Sequence, residues 1–432
     1  MAPIDRVVEP KHWLYEWIDE FDVNPDNVSS VFKSAAAVAR LTELAGSVMV
    51  RDSISVDPSR DSVVVGRTLD LHSEYTCGLF SCMKNRIERT FLSTWHYFDS
   101  VVVAGPSEKQ LVHNIMTTKK ADRERKFINP LRHNIALFLY LRQIGASDHI
   151  IFRPKYYPIC TSCYESESER RGILAVTDEA ARSRVLSTLR AEAQLDMSLR
   201  WPRVWGVEIS HNSLPESMVF YVESRKKPTR QEALTQFFHR GTHALLEDVE
   251  QAEQLQLPLL QEVRASFFGS STTEAATEDS VALQIELPFL QGVSASDLLK
   301  LMQDERPSFD RFQATIRKAV REKVEKAGDK SPVEISRQIE KDLIRPGLAE
   351  IDVSLTSARK ALAKKSGTAI GVGSALVTVG VLTAIPLVIA AGVSAIASPI
   401  LDAKKYLDDR ATLESKDIYF LWQMQRHAKP IH

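Results

Sequence analysis

The chain has 432 residues, with 55 lysine and arginine residues against 56 aspartate and glutamate residues and a net charge of -1. Hydrophobic residues make up 44% and charged residues 26%, which are ordinary globular values, so a wholly disordered or fibrous protein is excluded. The balanced charge argues against a dedicated nucleic-acid coat and gives no strong nucleic-acid signal. At roughly 100 to 200 residues per domain, the length predicts more than one domain.

The N-terminal sequence predicts a cytoplasmic protein. Residues 1–13 lack a basic stretch followed by an apolar run, which is the pattern of a secretory signal. A reducing compartment disfavours disulfides, so the 4 cysteines are expected to be free thiols or metal ligands.

Alternating strand and helix patterns predict an α/β domain in the first half of the chain. A first helix is predicted over 28–45, between an N-cap at Asn27 and a stop at Gly46. β-branched runs and amphipathic stretches then alternate as strand and helix, over 62–71, 80–95, 99–104, 131–143 and 149–153. This order predicts a mainly parallel sheet covered by helices. We assign it to a sensor or binding domain at 1–265, with its core within 50–225.

Two further strands and a long helix are predicted before the domain boundary. The strands at 204–209 and 218–223 form either a hairpin or an extension of the same sheet, and a polar helix follows over 230–256. The Ser-, Thr- and Glu-rich stretch 266–280 has no apolar periodicity and is therefore predicted to be a linker.

Residues 281–432 are predicted to form a helical domain after one short strand. Apolar residues alternate from Val281 to Leu287 as in a half-buried strand, and Ser294 is expected to begin the next helix. Stripes at helical spacing follow, with a stop or kink at Pro346. The predicted fold class is α+β and multidomain, with an N-terminal α/β domain and a C-terminal all-α region that contains an apolar hairpin.

The apolar hairpin is the most unusual feature of the sequence. Residues 366–401 contain no charged side chain, and a helix that is apolar on all sides is buried in protein or in lipid. A break at Pro386 gives two helical arms, and basic residues flank both ends equally, as expected when both ends lie on one side of a membrane. Small residues at a spacing of four allow close helix packing within lipid, at Gly367, Gly371, Ala375, Ala391 and Ala395.

Two environments for this hairpin remain open. In the first, it contacts the inner membrane or a protein partner, and the aromatic run 418–426 with Trp422 lies at the membrane surface. In the second, the amphipathic helices within 308–363 wrap it in a soluble core. Both hold for one protein if the hairpin is covered by its own helices and released on a signal, as in two-state pore-forming proteins.

The cysteines form two pairs that follow predicted strands. Strand ends of a parallel sheet lie at one edge, so four thiolates there would suit a structural zinc ion, with ligands Cys77, Cys82, Cys160 and Cys163. His72 is a spare ligand. Buried or free thiols, and a redox pair at Cys160 and Cys163, are the alternatives.

The sequence has no specific catalytic motif. Phosphate loops, dinucleotide-binding glycine patterns, zinc-protease motifs and nucleophile elbows are all absent from it. Glu208, Glu223 and Lys226 match in residue type the acids and lysine of metal-dependent nucleases. Weaker candidates are acids at strand ends and a histidine pair on one helix face, Asp70, Asp99, His239 and His243.

These patterns predict a cytoplasmic effector or interaction protein. Its N-terminal α/β domain binds a ligand that the sequence does not identify, and its apolar hairpin engages a membrane or a partner. Architectural analogy extends this hypothesis to a toxin or to antiviral defence against phage. The alternative is a soluble metal-dependent enzyme that acts on a nucleotide or nucleic acid at the edge of the sheet.

Overall fold

A computed structural model describes most of the chain. The described residues are 12–48, 61–66, 79–106, 108–119, 122–153, 160–170, 173–212, 217–260, 277–282, 285, 293–328, 330–351 and 417–427. Contacts divide the chain into two compact units, Met1–Ala275 and Ala276–His432. The protein is mixed α/β, with a parallel sheet and helices in the first unit and a helix-rich second unit. The predicted linker 266–280 lies mostly outside the described residues.

The strands of the described residues all belong to the first unit. In chain order they are β1 Ser62–Val65, β2 Ser100–Ala104, β3 Ile150–Arg153, β4 Gln194–Trp201, β5 Val204–Ser210, β6 Met218–Glu223 and β7 Leu259–Leu260. A parallel sheet has the order β3-β2-β1-β7, and an antiparallel sheet has the order β4-β5-β6. The parallel sheet predicted from the sequence is therefore confirmed, with β7 as an additional strand.

Ten helices precede residue 256. They are α1 Trp13–Glu20, α2 Val28–Val31, α3 Ala35–Val48, α4 Phe80–Thr94, α5 Glu108–Thr117, α6 Asn129–Gln143, α7 Thr161–Arg170, α8 Leu174–Thr177, α9 Glu179–Glu192 and α10 Arg230–Leu255, all counted over the described part of the chain. Short turns lie next to α6, a π-helical turn before it and a 3-10 turn after it, at Glu124–Ile128 and Ala146–His149. Gly145 ends α6 in a left-handed conformation with φ of 75°, as its predicted stop requires.

Helices cover both faces of the parallel sheet. Val64, Val102 and Ile151 pack with Ala252 of α10 on one face. On the other face the Phe152 ring stacks on Phe138 of α6, with ring centroids 4.8 Å apart. Burial on both faces explains why these strands are continuous β-branched runs in the sequence.

The prediction of one continuous helix over 28–45 is wrong. The chain forms α2 and α3 instead, and residues 32–34 separate them. Asn27 makes no capping bond to α2, because its side-chain oxygen accepts from the backbone N–H of Asn24 at 2.8 Å. Gly46 does not stop the second helix, which continues to Val48.

The antiparallel sheet belongs to an insertion between β3 and β7. β5 and β6 form the predicted hairpin, and the alternative prediction, that they extend the parallel sheet, is wrong. β4, which the sequence analysis missed, pairs with the other side of β5. Val207 and Phe220 on one face of this sheet form a core with Phe237 of α10.

The second unit is helical over its described residues. Its helices are α11 Glu278–Ala282, α12 Ala295–Asp304, α13 Arg306–Glu325, α14 Pro332–Ile339 and α15 Tyr419–His427. The strand predicted from Val281 is wrong at its start, because reciprocal bonds between Thr277 and Ser280 begin α11 there. Ser294 caps α12 by accepting from the backbone N–H of Asp297, as predicted.

Pro346 does not stop its helix. A π-helical turn at Glu340–Ile344 follows α14, and residues 345–351 continue as α-helix. Because proline lacks a backbone N–H and crowds the preceding turn, the wider turn is a way to accommodate it. The chain thus stays helical through this position.

The predicted hairpin at 366–401 lies outside the described residues. This includes its small residues and its central proline, Gly367, Gly371, Ala375, Pro386, Ala391 and Ala395. Within the described part of the chain, none of the helices has the length and apolar character needed to cross a bilayer.

Candidate functional site

The carboxyl edge of the parallel sheet is the first candidate site. Along the chain, β2 and then β3 are added on one side of β1, and β7 is added later on the other side. The direction in which strands are added therefore reverses between β1 and β7. Ligands of open α/β sheets bind outside the carboxyl ends of strands where this reversal occurs. The backbone N–H of Gly66 donates to the carbonyl of Leu260 at 2.8 Å, which fixes the two strand ends beside each other.

A buried ion pair holds the end of β3 at this edge. The Arg153 guanidinium donates to Asp248 Oδ1 at 3.2 Å and to Gln251 Oε1 at 2.6 Å, both on α10. The Arg153 and Asp248 side chains are 3% and 5% exposed. An arginine buried this deeply needs such partners, so the pair connects the sheet edge rigidly to α10. Sequence reasoning missed it, since the two residues are far apart in the chain.

His12 fills the space beyond β2. Its Nδ1 accepts from the backbone N–H of Leu14 at 3.1 Å and so caps α1, which makes Nε2 the protonated nitrogen of the neutral ring. Gly105 follows β2, and a Cβ there would lie 3.0 Å from His12 Nε2. The close approach explains why glycine suits this position.

Cys160 and Cys163 form the second candidate site, at the start of α7. Cys160 directly precedes the helix and Cys163 lies in its first turn, and both are exposed. Cys160 Sγ lies 3.2 Å from Ser162 Oγ. Hydrogen bonds from the Ser162 hydroxyl and from the backbone N–H and thiol of Cys163 lower the pKa of Cys160 to about 7. The same thiol contact raises the pKa of Cys163.

Tyr164 anchors this first turn on α10. Its ring stacks on His243 with centroids 3.7 Å apart, and its hydroxyl hydrogen-bonds Thr242. The ring of His243 is therefore used in packing. Burial and the nearby Arg182 lower the pKa of His239, which favours its neutral form. No group of three or more metal-binding side chains occurs within the residues that the structure describes.

Three of the predicted zinc ligands lie in the described part of the chain, and they belong to two separate helical regions. Cys82 lies on α4, which packs beside α6 through the Phe80 and Tyr140 rings. Cys163 lies on α7 and Cys160 directly precedes it. α7 packs on α10, and α6 and α10 cover opposite faces of the sheet. Cys77, His72 and Asp70 lie outside the described residues. The zinc site therefore stays a prediction.

The predicted nuclease residues do not converge. Glu223 pairs with Val204 across β5 and β6, whereas Glu208 pairs with Val219. Glu208 is four residues from Val204 along β5, which separates the two glutamates by roughly 13 Å. Carboxylates that share one metal ion must lie much closer.

The structure also describes the backbone at two other predicted positions, Asp99 and Trp422. Asp99 precedes β2, and its Oδ2 accepts from the backbone N–H of Asp61 at 3.2 Å, at the amino edge of the sheet. In the second unit, Trp422 lies on α15. Neighbouring side chains of that helix are buried, with Phe420 and Leu421 at 0% exposure. The aromatic composition of α15 thus has a packing role in those residues.

Comparison with known proteins gives no family. No family model, curated protein or solved structure matches the chain.

Proposed function

We propose that the protein is a cytoplasmic effector in which residues 366–401 engage a lipid bilayer. The observation that carries the proposal is the absence of any charged side chain over this whole segment. Such a segment needs apolar surroundings, because burying it releases ordered water from a large apolar area. A protein partner with an apolar surface is the alternative source of those surroundings.

The packing of α13 supports this proposal. In the soluble-core alternative, the apolar stripe of α13 is part of the surface that wraps the hairpin. Phe309 and Phe312 of that stripe contact Phe420 of α15, with ring centroids 5.1 and 6.1 Å apart. α13 also contacts α11, α12 and α14. The stripe therefore already has partners in other helices of its unit.

The parallel sheet supplies a place for a controlling ligand. The reversal of strand order between β1 and β7 favours a small-molecule site at their carboxyl ends. In this proposal the first unit senses a ligand and the second acts on the membrane, which agrees with a role in toxicity or antiviral defence.

Flotation with lipid vesicles tests the membrane step. We expect the full chain to float with anionic vesicles and a Leu376→Arg variant, changed near the middle of the first arm, to remain in solution. A charge at the centre of a membrane helix costs about 2.5–3.5 kcal/mol, roughly a hundredfold in partitioning. Leu376→Met is the matched control and should float like the natural chain. Equal flotation of both variants, or of neither variant nor the natural chain, would reject lipid as the surroundings.

A second function, thiol–disulfide exchange, is favoured by the Cys160 environment. We propose that the Cys160 thiolate attacks a substrate disulfide, forms a mixed disulfide and releases one thiol. Cys163 then loses its proton to solvent and attacks Cys160 Sγ, which releases the second thiol and leaves a Cys160–Cys163 disulfide. The substrate gains two electrons and two protons, and the cysteine pair loses them.

Alkylation by iodoacetamide across pH tests this assignment. The thiolate is the reactive form, so Cys160 labelling should rise roughly tenfold per pH unit below its pKa and level off above it. The midpoint is expected at about 7. Ser162→Ala removes one hydrogen bond to the thiolate and should move the midpoint upward. Cys163→Ser should still label at Cys160 but form no internal disulfide with oxidised glutathione. An unchanged midpoint in Ser162→Ala would contradict the proposed activation.

A further inference from the structure

The antiparallel sheet has one covered face and one open face. Cross-strand partners share a face, so the register separates the two sets. The covered face carries Val207 and Phe220, both 0% exposed, above α10. The open face carries Trp201, Gly206 and Tyr221 in the half of the sheet nearest the β4–β5 turn.

Two aromatic side chains lie side by side on this open face. Trp201 and Tyr221 are 40% and 43% exposed, although residues of this size are usually covered. Their ring centroids are 5.1 Å apart. Gly206, the cross-strand partner of Tyr221, has no side chain, and a Cβ there would lie 2.9 Å from Arg200 Cγ and Nε. The Arg200 side chain therefore lies across the sheet beside the aromatic pair.

Cations surround the same end of the sheet. The backbone N–H of Ser224 donates to the carbonyl of Arg203 at 2.8 Å, which brings residues 224–227 next to the β4–β5 turn. The exposed cations there are Arg200, Arg203, Arg225, Lys226 and Lys227. None of them has an ion-pair partner among the residues that the structure describes.

Acidic residues offset this charge only in part. Glu223 lies at the same end, opposite Val204, whereas Asp196 and Glu208 pair with each other farther along the sheet. Glu208 is four residues from Val204, a separation of roughly 13 Å. The aromatic end therefore keeps a positive excess, although the whole chain is nearly neutral.

We propose that this face binds single-stranded nucleic acid. Trp201 and Tyr221 stack on unpaired bases, and the arginines and lysines contact the phosphates. Exposed rings on an antiparallel sheet with a basic border suit single strands, because stacking on a side chain requires a base that is free of its neighbours. A duplex or an acidic peptide would use the cations but would leave the ring pair without a function.

Fluorescence anisotropy of labelled 12-nucleotide U-rich RNA and T-rich DNA, titrated with the full chain, tests the proposal. We expect saturable binding of at least one strand and weaker binding of the matching duplex. Trp201→Ala or Tyr221→Ala should lower affinity roughly 5- to 150-fold. Trp201→Phe should retain most of the affinity, because it keeps a ring. Met116→Ala is the control, since Met116 is exposed on α5 in the same unit.

Salt dependence separates phosphate contact from stacking. Replacing Arg225, Lys226 and Lys227 by alanine should reduce the slope of log affinity against log salt by roughly 2. Unchanged thermal unfolding of each variant would show that the sheet stays folded. Equal binding of single strand and duplex, equal binding by Trp201→Ala and the natural chain, or no saturable binding of either strand would each overturn the proposal. A preference between RNA and DNA would identify which strand is the ligand.

Discussion

The two sheets of the first unit differ in how many of their faces are covered. α6 and α10 pack on opposite faces of the parallel sheet, whereas the antiparallel sheet packs on α10 through one face and leaves Trp201 and Tyr221 exposed on the other. The carboxyl edge of the covered sheet is the site that we propose for a small ligand. The open face of the other sheet is the surface on which we propose that single-stranded nucleic acid binds. The two proposed sites differ because an edge suits a small molecule, whereas a face suits a polymer.

Removing the buried ion pair beside the parallel sheet is expected to have the largest effect on stability. Asp248→Ala leaves the Arg153 guanidinium buried with a lost charge partner, and we expect a loss of about 3–5 kcal/mol in the free energy of unfolding. Asp196→Ala on the open face of the antiparallel sheet is the control and should change it by less than about 0.5 kcal/mol. Urea denaturation of the full chain measures both. Comparable losses in the two variants would show that Arg153 does not depend on Asp248.

Adjacent residues of β6 test the difference between the two faces of one sheet. Phe220 is 0% exposed and Tyr221 is 43% exposed. Phe220→Ala leaves a cavity above α10 and should cost about 3–5 kcal/mol. Tyr221→Ala should cost below about 1 kcal/mol, the usual contribution of a cross-strand pair. Urea midpoints that shift equally would mean that both faces are covered in solution.

Alanine substitutions at two glycines, one beside each sheet, have the smallest expected difference in stability. Gly105→Ala brings a Cβ within 3.0 Å of His12 Nε2 and 3.4 Å of Phe152 Cβ, in closely packed surroundings. We expect a cost of about 1–3 kcal/mol from overpacking. Gly206→Ala meets only the exposed Arg200 side chain, which can turn away, so the change should stay within about 0.5 kcal/mol. Thermal unfolding midpoints compare the two, and a larger loss for Gly206→Ala would reverse the assignment.

Sequence reasoning succeeded where local pattern and burial agree. The valine runs of β1 and β2 and the amphipathic spacing of α4 were recognised because each element is defined by its own side chains. It failed where neighbours decide the structure. β7 has only two residues, Leu259–Leu260, and is a strand because β1 pairs with it. β4 is a different case, because Leu195, Met197 and Leu199 alternate with polar residues as in a half-buried strand, and sequence reasoning overlooked this local signal.

The candidate sites divide in the same way. The pair Cys160 and Cys163 is visible as a spacing, but only the fold places it at the start of α7 beside Ser162. The carboxylates Glu208 and Glu223 matched a catalytic pattern in residue type, and the strand register then separated them. Trp201 and Tyr221 were overlooked, because exposure is a property of the assembled sheet and leaves no mark in local composition.

The sequence by itself determined the elements whose periodicity comes from their own side chains, and it determined the uncharged segment 366–401. Only the tertiary structure decided which strands pair, which faces are covered and which distant groups meet, such as Arg153 with Asp248. The physical reason is the distance along the chain over which each interaction acts. Hydrophobic periodicity acts between residues a few positions apart, whereas strand order and burial depend on contacts that form only when the whole unit has assembled.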